Sequence, residues 1–210
     1  MGRCFGGLSV LIVAVAFLPC SANANIVNFD DMGFANFDDV TTQYAALGVT
    51  FQGYEGDGVV ALEVVDSTVF GDNVPPSPPM SLSNFYNDNP DLRADVMAIN
   101  FLVPASGIEF DYNGAGSSGA RTVFNLYDFS NNLVGSFNVA SATDSNYHHV
   151  VAGGVNIGRV EILQPDDWWG HYIDNLSFET GAPAVPVPGA ALLSLIGLGI
   201  MRMKRGCGRA

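Results

Sequence analysis

Apolar and polar residues alternate with a period of two through much of the chain. In Arg121–Tyr127, Thr122, Phe124 and Leu126 share one face. In Gly107–Tyr112, Ile108, Phe110 and Tyr112 point one way, and Glu109 and Asp111 point the other. That period marks strands buried on one side. The pattern predicts strands over 26–29, 49–53, 59–65, 98–103, 107–112, 122–128, 133–139, 149–152, 158–163 and 172–178. Between them lie turn formers: Gly114-Ala115-Gly116-Ser117-Ser118-Gly119, Ser130-Asn131-Asn132 and Gly153-Gly154. The Ser130–Asn132 turn reads as a tight hairpin. Only Val40–Ala46 has a helical period. The four prolines of Val74–Pro79 remove ladder donors, which predicts a long loop from there to about Ala94. Many short strands with regular turns predict one all-β domain over residues 25–181, a β-sandwich or jelly roll.

The two ends break this pattern. Arg3, the apolar run Leu8–Leu18, Pro19-Cys20-Ser21 and the small-residue site Ala22-Asn23-Ala24 have the order of a secretory signal peptide over residues 1–24. The Sec export machinery is the implied partner, and cleavage after Ala24 leaves Asn25 first. At the other end, Val185-Pro186-Val187-Pro188 precedes an apolar segment, Gly189–Met201, and a basic stop of Arg202, Lys204 and Arg205. Thirteen apolar residues make about 20 Å of helix, short of a hydrocarbon core of ~30 Å. Counting from Val185 to Met203 nearly closes the gap. The basic cluster would stay on the cytoplasmic side, leaving residues 25–182 outside.

Residues 182–210 resemble the PEP-CTERM bacterial sorting tail: a Pro-x-Pro motif, an apolar helix containing Gly197-Leu198-Gly199, and a basic end. Val187 stands where that family's motif has Glu. The resemblance implies an inner-membrane intermediate, an exosortase-type membrane protease that cuts near Pro186–Pro188, and delivery to the cell surface or outside the cell. The middle of the chain resembles, in layout, the jelly-roll domains found before such tails, including galactose-binding-like and carbohydrate-binding modules. The shared phrases are Phe29-Asp30-Asp31, Leu47–Phe51 and Ile173–Phe178.

Removing both ends changes the charge picture. Residues 25–182 keep Arg93, Arg121 and Arg159 as their only bases beside all 21 acids, a formal charge of −18. Such a surface repels nucleic-acid phosphates, which excludes nucleic acid as a partner. No cysteine lies in this segment, so no disulfide closes it.

Three constellations could carry chemistry. Asp30 and Asp31 after the first strand, with Asp174 and Asn175 in the last, would converge in a jelly roll and offer oxygens to calcium, the one candidate cofactor. The competing reading has them capping turns and bonding backbone. Trp168 and Trp169, next to Asp166 and Asp167, form a candidate sugar platform that Phe85-Tyr86 would extend; the competing reading buries the indoles at the sandwich end. His148, His149 and His171 are the only histidines; neighbours on a strand face opposite ways, so His148 and His149 would not share one zinc. No nucleophile or metalloprotease motif is present, and no catalytic residue is assigned. The sequence therefore predicts an exported, surface-sorted, non-enzymatic protein with a structural or adhesive role in an extracellular polysaccharide layer. The alternatives are a calcium-dependent carbohydrate-binding module and a secreted glycosidase or other hydrolase.

Overall fold

A computed structural model describes residues 23–66, 75–114, 121–140, 147–154, 156–163 and 170–180. The expected signal segment, the Trp168-Trp169 loop and the whole sorting tail lie outside these residues, apart from Asn23 and Ala24. The described residues form an all-β sandwich whose two layers share one long strand.

That strand is β9, numbering in chain order, and spans Val96–Gly114. Its first half pairs with β3 (Val49–Glu55) on one side and β13 (Ile157–Leu163) on the other. β13 continues to β10 (Arg121–Asp128) and β11 (Leu133–Ala140), and β3 continues to β4 (Gly58–Val60). These strands make sheet I. The second half of β9 pairs with β12 (His148–Ala152) and β14 (His171–Thr180). Beyond β14 lie β6 (Met80–Ser83), β5 (Leu62–Asp66) and β2 (Asp39–Val40), while β1 (Asn23–Val27) pairs with the C-terminal half of β14. These make sheet II.

The expected strands 98–103 and 107–112 are thus one strand with a corner in it. Leu102 and Val103 are exposed there, Pro104 follows, and Gly107 sits at φ 56°, a conformation that needs no Cβ. A strand that changes sheets through such a bend is how sandwich corners are made. The inner faces meet through aromatic pairs: Phe110 and Phe124 at 5.8 Å between centroids, Tyr112 and Phe124 at 5.1 Å, and Phe101 and Phe178 at 5.0 Å. Phe29 meets Phe51 at 5.6 Å. All of these are buried. Phe51, Ile99, Val160, Ile162 and Leu126 from sheet I complete the core with Ile108, Ile173, Leu176, Val64 and Leu82 from sheet II.

Two sequence expectations are corrected. The segment 74–94 is not one long loop. After Pro79 it forms β6, then a hairpin of β7 (Phe85–Tyr86) and β8 (Asn89–Arg93). Asn87 and Asp88 take positive φ at the hairpin tip, a geometry asparagine and aspartate tolerate. The prolines themselves stay out of the ladder, as their missing N–H requires. Val40–Ala46 forms no α-helix: β2 ends at Val40 and a single 3-10 turn covers Ala45–Leu47. The Ser130–Asn132 hairpin is present. Asp128 Oδ1 accepts the N–H groups of Ser130 and Asn132, which fixes the turn, and Asn131 sits at φ 65°.

Candidate functional site

The outer faces of the two sheets differ. On sheet II, Phe85 of the β7–β8 hairpin packs on Val65 and Tyr172 as a small second core. Phe85 meets Tyr172 edge-on at 5.8 Å, and the Arg93 guanidinium lies 5.4 Å from the Phe85 centroid. Phe85 is therefore buried and does not extend a sugar surface. Glu63, also under this cover, is fully buried; its Oε1 accepts the Asp88 N–H. Burial pushes its carboxyl above the ordinary carboxylate value.

Sheet I presents its outer side chains in three cross-strand rows. The ladder registers place Tyr127, Arg159, Asn100 and Thr50 side by side. The next row runs Ser136, Asn125, Glu161, Ala98 and Gln52. The third runs Asn138, Val123, Leu163, Val96 and Tyr54. At a strand spacing of ~4.8 Å, the four central strands carry each row about 14 Å across the face.

One end of this face is rigid. Arg159 Nε lies 3.0 Å from Glu161 Oε1, and the guanidinium sits 4.5 Å from the Tyr127 centroid. Burial, then Glu161, raise the Tyr127 pKa. Arg159 and Glu161 are 25% and 17% exposed, close enough to solvent to meet a ligand and packed enough to hold their rotamers. At the other end the Tyr54 hydroxyl donates to Gln52 Oε1 at 2.9 Å. Asn100 lies between on β9, Thr50 is next along β3 from Gln52 and Asn125 next along β10 from Tyr127; all three are half-buried, with no side-chain hydrogen bond among the described residues. These amides and hydroxyls, with a phenol ring at each end of the face, offer both donors and acceptors to a ligand that is polar on its edges and flat on its faces.

The four residues expected to hold calcium are brought together in part. Along one edge of β14 the neighbour changes from β6, at Tyr172 and Ile173, to β1, at Leu176. Asp174 sits at that change, fully buried. It accepts the Ser77 N–H and hydroxyl and the Asn175 N–H. Asp30 Oδ1 accepts the Met80 N–H, and Asp31 Oδ1 accepts the Tyr44 hydroxyl. Burial and then Asp31, Asp30 and Asp174 push the Tyr44 pKa up. Asn175 faces elsewhere: it bulges β14 at φ 49° and donates to Asp111 Oδ2. These bonds tie the segments after β1 and before β6 to β14. Among the described residues no three His, Cys, Asp or Glu side chains are placed to hold a metal ion.

The histidines separate. His148 pairs with Tyr112 and His149 with Asp111, so adjacent histidines face opposite sides of sheet II. His149 is exposed between Asp111, 3.2 Å away, and Glu109, 3.5 Å away. His171 is buried against the Tyr112 hydroxyl, which also meets Thr122. Desolvation lowers its pKa to about 3, so it is neutral in the fold. Ala24, expected as the last signal residue, pairs with Glu179 in β1. A cut there leaves Asn25–Val27 on β14. Ala22, Trp168, Trp169, Val185, Pro186, Val187, Pro188, Arg202, Lys204 and Arg205 lie outside the described residues.

The platform of sheet I was not legible in the sequence. Its residues look like the ordinary solvent side of separate strands, and only long-range pairing aligns them.

No family model matches the chain, and no curated protein sequence matches it. Solved structures do. CBM29_1, a family 29 carbohydrate-binding module from Piromyces equi, is 12% identical, with 81% of this chain and 99% of that one covered at a TM-score of 0.41. TmCBM61, solved with β-1,4-galactotriose, is 13% identical, with 69% and 100% covered at 0.38. The K3 adhesin domain of Lys-gingipain from Porphyromonas gingivalis W83 is 12% identical, with 70% and 99% covered at 0.32. At these values the chain is similar to them as one all-β sandwich is to another.

Proposed function

We propose that this chain is an exported, surface-sorted protein whose β-sandwich binds carbohydrate on the outer face of sheet I, as a non-catalytic domain. The observation that carries this reading is the set of half-buried Asn100, Asn125 and Thr50, which have no side-chain hydrogen bond among the described residues, on the same face as the Tyr127–Arg159–Glu161 group and the Gln52–Tyr54 pair. A pyranose has hydroxyls at its rim and C–H groups on its faces. Amides and carboxylates match the first, and phenol rings match the second. A side-chain array held before the ligand arrives loses less entropy on binding. The role is adhesive: the domain, delivered outside by the signal and the tail, anchors itself in an extracellular polysaccharide.

The test is co-sedimentation of the full chain, in mild detergent, with insoluble polysaccharides. Tyr127→Ala is expected to weaken binding about tenfold, the effect of ~1.4 kcal/mol, with the product solution free of released sugar. Binding that Tyr127→Ala leaves unchanged would remove the face from the account. Sugar release that follows the protein would make the domain a hydrolase.

A further inference from the structure

We infer that the sheet I face selects neutral polysaccharide and rejects chains carrying carboxylates or sulfates; this rests on the reading of that face as a glycan platform. The argument is electrostatic. Binding an acidic glycan needs uncompensated cations, and residues 25–182 contain three arginines against 21 acids. Arg93 is taken up over the Phe85 ring on the far sheet. Arg121, at the start of β10, lies outside the three rows but exposed on the same side of the strand as Val123, Asn125 and Tyr127, one step beyond the third row. Within the rows Arg159 and Glu161 are the only charged residues, and they form one ion pair 3.0 Å apart. The three rows are therefore neutral as a unit: every other group in them is an amide, a hydroxyl, a phenol or an apolar side chain. Arg121 is a single cation at their edge, set against the field of the acids.

The surroundings push the same way. A formal charge of −18 on the exported segment makes a field that opposes any polyanion. That repulsion is weakened by salt, since the Debye length is about 8 Å at physiological ionic strength. A neutral polymer feels none of it. Neutral-glycan binding should then depend little on salt.

Glu161 is the residue that sets this selectivity. Its carboxylate both holds Arg159 in place over Tyr127 and cancels its charge. Glu161→Gln keeps an oxygen for those bonds and leaves Arg159 uncompensated, which moves the three rows from neutral to a net charge of plus one.

The experiment is affinity electrophoresis of the full chain through gels carrying β-1,4-galactan, mixed-linkage β-glucan or mannan, against gels carrying polygalacturonate, alginate or dextran sulfate, at low and physiological salt. The expected result is retardation by at least one neutral polymer, unchanged by salt, and none by the acidic ones. In Glu161→Gln the ratio of acidic to neutral affinity rises about tenfold at low salt. Retardation by acidic polymers alone, weakened by salt and lost in Tyr127→Ala, would overturn the inference and keep the platform. Equal retardation by both classes would also overturn it. No retardation by any polymer would count against the platform itself. The wild-type comparison decides the matter even where Glu161→Gln fails to fold.

Discussion

His171 shows how one buried side chain sets a response of the whole domain. It is neutral in the fold, with its pKa lowered from 6.5 to about 3 by desolvation. A lowered pKa means that the unfolded chain binds the proton more readily. The stabilisation is therefore complete above pH 6.5 and is lost progressively as pH falls toward 3, by up to about 1.4 kcal/mol per pH unit. Glu63 and Asp174 act in the opposite sense. Burial raises both carboxyls, so the fold binds their protons more readily, and their contribution grows as pH falls and is lost as pH rises through their folded values. Urea midpoints between pH 6.5 and pH 5 should fall for the wild type. His171→Gln, which can still bond the Tyr112 hydroxyl, should be less stable at pH 7 and should lose the wild type's fall across that window. A His171→Gln curve parallel to the wild type would contradict this account. Gly114 belongs to the same neighbourhood: a Cβ there would collide with the Tyr112 hydroxyl, so the backbone approach of β9 requires glycine.

At the scale of elements, β9 organises the molecule because both sheets hang on it. Its corner at Leu102–Gly107 lets Ile99 and Phe101 face the core from sheet I, and Ile108, Phe110 and Tyr112 face it from sheet II. Phe124 closes the gap between the layers, touching Phe110, Tyr112 and Phe137. Phe124→Ala should cost about 3–5 kcal/mol, the range for a buried phenylalanine replaced by alanine. Chemical denaturation checks it, and a loss under 1 kcal/mol would mean that the layers are not held there. The alternation that marks Thr122, Phe124 and Leu126 as inward was legible in the sequence, as was the Ser130–Asn132 hairpin, because both are local patterns. The hairpin of Phe85–Arg93 was not, because the prolines before it dominate that stretch and its turn is a bare Asn87-Asp88. Nor was the platform. Gln52, Ala98, Glu161 and Asn125 come from four strands scattered along the chain, and only the order β10-β13-β9-β3 makes them a row.

At the scale of the whole molecule, the account joins a delivery system to a cargo. Residues 25–182, the segment proposed to be exported, are acidic and contain no cysteine. Against that charge, the three rows of sheet I carry no net charge. Recovery of the protein from the surface fraction of its host, with an intact mass that begins at Asn25 and ends near residues 185–188, is the expected result for export and tail processing. A chain still carrying residues 189–210 in the inner membrane would contradict the sorting step and leave the domain anchored there.

The central claim is that the outward amides of sheet I hold a glycan. Isothermal titration of the full chain with a retained neutral polysaccharide, wild type against the Asn100→Ala/Asn125→Ala double variant, tests it most directly. Neither amide has a side-chain partner among the described residues, so the melting temperature should stay where it is. The account predicts a loss of affinity of at least tenfold at that unchanged melting temperature. Equal affinities for the two proteins would contradict it.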